Sequence, residues 1–239
     1  GADWLLRLAL SAGVLGWLCG VWARGMKRMV AYVTVSSVGT ITADVGMYTP
    51  DSLSAALYCA LRSTIVVAGL FLLIELMAAQ RGDAGDALKP AQAVREPILL
   101  GLMMLFGAAS AAGLPPLPGF IGKLMILQSS HGLAAQPWVW TVVLLVGFLS
   151  MVGLARAGAI LFWHVQPAPS SHDASGGSSL KLMSATWAFM AMTLALAVVA
   201  SPVKQYTDDA AAQLTDRAAY QRAVLGDLVN STRPYTGER

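Results

Sequence analysis

The amino-acid sequence predicts an all-α fold, a polytopic membrane helix bundle of about six transmembrane helices with one discontinuous, proline-broken helix. Three observations carry this expectation. Of 239 residues, 56% are hydrophobic and 12% charged, and the mean hydropathy of +0.61 lies outside the balance of soluble domains. Apolar runs of spanning length alternate with short polar connections. One run is interrupted by Gly113-Leu-Pro-Pro-Leu-Pro-Gly-Phe-Ile-Gly-Lys123, where prolines and glycines precede an ammonium group.

The first span is Trp4 to Trp22, closed by the basic Arg24, Lys27 and Arg28. Met29 to Tyr48 forms the second, and Thr49-Pro-Asp-Ser52 turns the chain into the third, Ser52 to Ala79, with Asp51 or Ser52 as the expected helix cap. The polar loop Gln80 to Glu96 is expected in water, separating two bundles of helices. Pro97 opens the fourth span, which runs to Ala112 and resumes after the break as Phe120 to Gln128. Trp138 to Trp163 and Leu180 to Val203 complete the set, joined by a Ser/Gly/Pro-rich loop from Gln166 to Ser179. Residues 1–203 are thus the membrane bundle, and 204–239 a tail in which Tyr206, Ala210, Leu214, Ala218, Leu225 and Leu228 recur at helical spacing. That amphipathic helix rests on the bilayer or docks to a partner subunit.

Basic residues in short loops set orientation. They fall after spans one, three and five (Arg24, Lys27, Arg28; Arg81, Lys89, Arg95; Lys181) and are missing around Asp51 and His131. The first residue and the tail are therefore expected on the outer face. The net charge of +3 is explained by those loops, not by a basic stripe with interleaved aromatics, so nucleic acid is no partner. Cys19 and Cys59 lie in apolar runs, and His131, His164 and His172 lack ligand spacing; no disulfide, metal site or cofactor is expected. No nucleophile triad, phosphate loop or carboxylate pair marks an enzyme. The opening Gly-Ala-Asp, without a signal-peptide pattern behind it, reads as a start partway through a longer protein.

Pro115, Pro116 and Pro118 supply no N–H and leave carbonyls without helical partners, a condition tolerated at membrane depth only inside protein or along a wet cavity. The break therefore marks a candidate ion pathway. Lys123 follows it by one helical turn, and enclosure disfavours its charged form, as a proton carrier requires; the alternative is snorkelling to the interface. Arg62, near mid-depth, needs a partner, and Asp44 is the nearest along the hairpin, as a structural tie or as part of a relay. Arg156 reads as a snorkelling side chain, and Arg7 and Glu75 as solvated residues near helix ends.

Several stretches together resemble a known family. Met26-Lys-Arg-Met-Val-Ala-Tyr32 with Val35-Ser-Ser-Val-Gly39, Gly69-Leu-Phe-Leu-Leu73 and the broken stretch ending at Lys123 are similar to the second half of the antiporter-like subunits shared by complex I and the Mrp multisubunit cation/proton antiporters. Ala155 to Trp163 and Ala211 to Gly226 look most like the D-type subunits of the Mrp antiporters. The resemblance implies a fourteen-helix fold with two inverted five-helix repeats, of which this chain supplies the second and the last helix. It implies exchange of Na⁺ or K⁺ for protons, partner subunits in a bacterial cell membrane, and a role in pH and salt tolerance. Lys123 matches the lysine of the second half-channel, and Lys27 a basic residue the family also retains. The implied proton or cation pathway comprises Lys123, Lys27, Arg62, Ser63, Thr64 and Ser37, beside the break at Gly113, Pro115, Pro116, Pro118 and Gly119. Arg62-Ser63-Thr64 stands where the family often has histidine, and arginine cannot relay protons by titrating. The family's first half is not in this chain. A proton-pumping subunit of a quinone oxidoreductase and a non-transporting scaffold are the alternative readings.

Overall fold

The computed structural model describes residues 2–92, 94–163, 165–166, 180–216, 218–219 and 221. They form α1 (Ala2–Val21), α2 (Met26–Met47), α3 (Pro50–Ala78), α4 (Pro97–Ala112), α5 (Pro118–Ser129), α6 (Gln136–Phe162), α7 (Leu180–Val198) and α8 (Ala200–Thr215). Two residues each of β1 (Ala91–Gln92) and β2 (Val165–Gln166) pair in parallel. Among the described residues, five helices are long and apolar enough to cross a bilayer, and α4 with α5 makes the broken sixth crossing.

Small residues hold α1 to α2. A side chain at Gly39 would stand 2.6 Å from the Gly13 nitrogen and 2.8 Å from the Ala9 carbonyl. Only backbone-to-backbone approach fits there, the way helices associate where lipid removes the hydrophobic drive. The α2–α3 turn is capped reciprocally: Thr49 Oγ1 accepts from the Ser52 N–H (3.1 Å), and Ser52 Oγ accepts from the Thr49 N–H (3.0 Å). The cap is thus Thr49, ahead of the two residues expected, with Ser52 answering it; such caps contribute about 1 kcal/mol.

Helix α3 is the hub, touching α2, α4, α5, α7 and α8. Its Leu70, Leu73, Ile74 and Met77 are buried against Met26, Met29 and Val30 of α2 and Leu100, Met103 and Met104 of α4. The loop after α3 therefore does not separate two bundles, contrary to what its polarity suggests. It folds back on the start of α2. Arg81, 4% exposed, donates to the carbonyls of Gly85 (2.9 Å), Ala87 (2.9 Å) and Lys89 (2.7 Å). Asp86 O accepts from the Met26 N–H (2.8 Å), and Arg24 O from the Leu88 N–H (2.9 Å).

Exposed aromatics mark two levels. Trp4, Tyr48 and Trp138 flank the helix ends on one face, and Trp22 and Trp163 those on the other. The last span ends earlier than expected, at Val198 rather than Val203. Pro202 has no N–H for the Val198 carbonyl, so α7 stops and α8 begins at Ala200. The buried face of α8 also differs from the expected one: Thr207 and Ala211 are buried, whereas Tyr206 and Leu214 are 74% and 65% exposed. A polar anchor selects this face. Ser54 of α3 donates to Asp208 (2.5 Å), with Thr207 Oγ1 at 3.0 Å, and Lys204 pairs with Asp208 at 2.6 Å. Leu225 and Leu228 lie outside the described residues, as do residues 167–179 of the loop before α7.

Candidate functional site

The broken crossing is built by its prolines. In a continuous helix the N–H groups of residues 115, 116 and 118 would reach the carbonyls of Ala111, Ala112 and Leu114. Proline removes all three donors. Gly113, at φ +79°, turns the chain away, its N–H and that of Leu114 closing on Ala109 O. The Leu114 carbonyl is taken up by the Leu117 N–H (3.0 Å). The Ala112 carbonyl is taken up by Lys123, whose Nζ donates to it. The lysine thus replaces the donor that Pro116 lacks, which explains why an ammonium follows the break by one turn of α5.

Two glycines make room for it. A side chain at Gly113 would lie 2.8 Å from Lys123 Cδ, and one at Gly147 of α6 would collide with Lys123 Nζ. Gly119 lets the start of α5 press on the end of α4, where a side chain would strike the Ser110 carbonyl.

Lys123 faces a cavity of about 30 Å³, room for roughly one water molecule. Its polar lining comes from Ser36, Ser37 and Thr40 of α2, Cys59 and Arg62 of α3, and Ser150 of α6. Arg62 is 9% exposed; it donates from one terminal nitrogen to the Ser110 carbonyl at 3.4 Å, and its Nε has no partner. Tyr58 OH and Ser110 Oγ are also buried without partners. Buried polar groups left without partners are unfavourable, so these three mark the polar part of the bundle interior.

Of the residues the sequence singles out, the structure gathers Lys123, Arg62 and Ser37 around this cavity. It leaves out Ser63 and Thr64, whose hydroxyls bond back to Ala60 O at 3.3 Å and 2.8 Å. Lys27 is also remote: it pairs with Glu75 at 2.6 Å, both half-exposed, about 13 Å along α2 from Ser36. Glu75 is therefore paired, not simply solvated. The expected Asp44–Arg62 pair does not form; both Asp44 oxygens lack partners. The hairpin register explains this. Counted from the Tyr48–Thr49 turn, Asp44 lies level with Leu53, and Arg62 is about 13 Å further along α3. Arg156 reaches the last carbonyl of α1, Val21 O, at 2.5 Å. Sequence reasoning missed Ser36, Thr40, Tyr58, Ser150 and Gly147. The spacing of Ser36 with Thr40 and of Tyr58 with Arg62, one turn each, was the available signal.

Among known proteins, the chain is similar to the D-type subunit of the Na⁺/H⁺ antiporter of Bacillus subtilis (strain 168), 30% identical over 225 residues, covering 93% of this chain and 44% of that protein. It is also similar to an N-type subunit of the NADH-quinone oxidoreductase of Symbiobacterium thermophilum, 26% identical over 88% of this chain and 41% of that one. The chain spans less than half the length of these relatives. Its fold matches a chain of the Mrp complex from Dietzia sp. DQ12-45-1b with a TM-score of 0.80 at 23% identity, over 94% of this chain and 49% of that one. Residues 2–153 match the family described as NADH:quinone oxidoreductase/Mrp antiporter, TM, and a match over most of the chain, joined to this broken-helix fold, places the protein in that membrane family.

Proposed function

We propose that this chain is the C-terminal part of a D-type subunit of a multisubunit Na⁺ or K⁺/H⁺ antiporter, in which Lys123 takes up and releases protons through a half-channel opened at the helix break. The observation that carries the reading is the seat of Lys123: its Nζ rests on the Ala112 carbonyl freed by Pro116 and borders a polar cavity. A protonated Lys123 is held by that carbonyl, and a water in the cavity is the immediate acceptor when it deprotonates. Arg62 keeps its charge, so the cluster is positive throughout the cycle. In this reading the loops with Arg24, Lys27 and Arg28, with Arg81, Lys89 and Arg95, and with Lys181 are cytoplasmic, while residue 1 and the tail face outward in a bacterial inner membrane. Other subunits complete the path.

The test is cation-driven proton exchange in inverted vesicles carrying the full complex, with Na⁺ and K⁺ each supplied. Lys123→Ala at equal expression is expected to lower exchange by roughly a hundredfold, the scale of a positioned proton-transfer group. Unchanged exchange would leave this half as a scaffold. The similarity to the N-type relative supports a second reading, a proton-pumping subunit of a quinone oxidoreductase. It predicts NADH-driven pumping lost with Lys123→Ala and no dependence on added Na⁺ or K⁺.

A further inference from the structure

We propose that Asp44 is a second proton-binding group of this half-channel, exchanging its proton with Lys123 by way of the polar cavity whose wall ends at Thr40, one helical turn from Asp44; the inference rests on the proton-path reading given above. Asp44 is the only fully buried carboxyl among the described residues, at 0% exposure, and neither of its oxygens has a partner. A carboxylate in that state is strongly disfavoured unless it is protonated or reached by water. A purely structural aspartate would have been given a donor.

Its place on α2 says what it serves. Ser37, Thr40 and Asp44 fall on one helix face, and the first two line the cavity that holds Lys123. Asp44 is one turn beyond Thr40, about 6 Å along the axis, toward the Tyr48 end. Cys59, also in the cavity wall, stands within electrostatic reach of Asp44, Arg62 and Lys123 alike. The titratable or charged groups in the cavity wall are Cys59 and Arg62 from α3 and Lys123 from α5, and Tyr58, next to Cys59 on α3, is fully buried. Helix α1 contributes Arg7 at that level, exposed on its surface, and α6 contributes the hydroxyl of Ser150 but no charge.

The charges balance. With Lys123 protonated and Asp44 ionised, the three residues Lys123, Arg62 and Asp44 together carry one net positive charge. When the proton leaves Nζ, passes by way of water entering the cavity and the stretch past Thr40, and arrives on a carboxyl oxygen, Lys123 and Asp44 are both neutral. Arg62 alone then supplies the same net charge. Transfer between the two sites changes no net buried charge, so it avoids the main penalty of moving a proton at membrane depth. Arg62 keeps their sum positive in both states and so holds a free cation out of the proton site.

The experiment uses the full complex in inverted vesicles, with Asp44→Asn, Asp44→Glu and Lys123→Ala compared at equal assembly. Asp44→Asn, which keeps the shape, is expected to lower exchange roughly tenfold or more and to flatten its pH profile, and Asp44→Glu to restore part of it. Infrared difference spectra of the wild-type complex are expected to show a buried carboxyl band that grows on acidification, is lost in Asp44→Asn and changes its titration in Lys123→Ala. Normal exchange in Asp44→Asn with loss in Lys123→Ala would overturn the role of Asp44 and leave the lysine reading standing. Normal exchange in Lys123→Ala would overturn the lysine reading itself. If Asp44→Asn fails to assemble, the wild-type spectrum decides, and a carboxyl band that does not titrate overturns the proposal.

Discussion

The two buried arginines among the described residues have opposite surroundings. Arg81, in the loop after α3, spends its guanidinium on three backbone carbonyls within 2.9 Å. Arg62, at membrane depth, donates to one carbonyl at 3.4 Å, and its buried Nε has no partner beside the cavity that the side chain helps to line. The first closes a loop. The second is left short of partners beside another cation. Burial of a charge is therefore no measure of how it is held here; what separates the two is whether the hydrogen-bonding capacity is used up.

The contrast can be broken most directly by exchanging both arginines for leucine. Arg81→Leu strands three carbonyls and is expected to destabilise the complex by roughly 3 kcal/mol or more, read as a fall in thermal stability, with exchange per assembled complex kept. Arg62→Leu loses little hydrogen bonding and is expected to reduce exchange severalfold while thermal stability stays near wild type. The reverse pattern would dissolve the distinction. A sharper probe is Gly147→Ala, which leaves every titratable group in place but puts a methyl where Lys123 Nζ sits. We expect exchange to fall by roughly tenfold, the scale of about 1.4 kcal/mol, as the ammonium leaves the Ala112 carbonyl.

The smallest effect belongs to the anchor of α8. Partial burial works against the Asp208 carboxylate, but the hydrogen bonds from Lys204 and Ser54 outweigh it and hold its carboxyl below the usual range. A depressed folded value means that this contribution is complete above the unfolded value of about 3.9 and is lost as pH falls through the lower folded value. Protection of the α8 amides, measured against the intrinsic exchange rate at each pH, is expected to hold at neutral pH and to fall only in acid. Ser54→Ala is expected to loosen α8 at neutral pH by about 1 kcal/mol.

Much of the architecture is legible in the sequence because its causes are local. The run from Pro97 to Lys123 announces a break whatever surrounds it, and span lengths follow from hydropathy along the chain. Expectation and structure part where two segments have to meet. Pairing Arg62 with Asp44 would need a hairpin register more than two turns away from the one that Thr49 and Ser52 set. The loop with Arg81 reads as solvated because its carbonyl partners, at Gly85, Ala87 and Lys89, have no side-chain signature. The periodicity of α8 points to Tyr206 and Leu214, whereas one serine on α3 turns Thr207 and Ala211 inward.

By itself the sequence determined that this is a multi-pass helical protein, where one helix breaks, and that a lysine follows the break. Those are covalent facts, proline's missing N–H and the length of apolar runs, and they hold in any packing. Only the tertiary structure decided that Lys123 answers Pro116 at Ala112, that Gly147 on a distant helix makes its seat, and that Arg62, Ser37 and Thr40 share its cavity while Lys27, Ser63 and Thr64 do not. The reason is that the rotation and register of each helix are set by contacts between helices, where a shift of one residue turns a side chain by about 100° and changes what it faces.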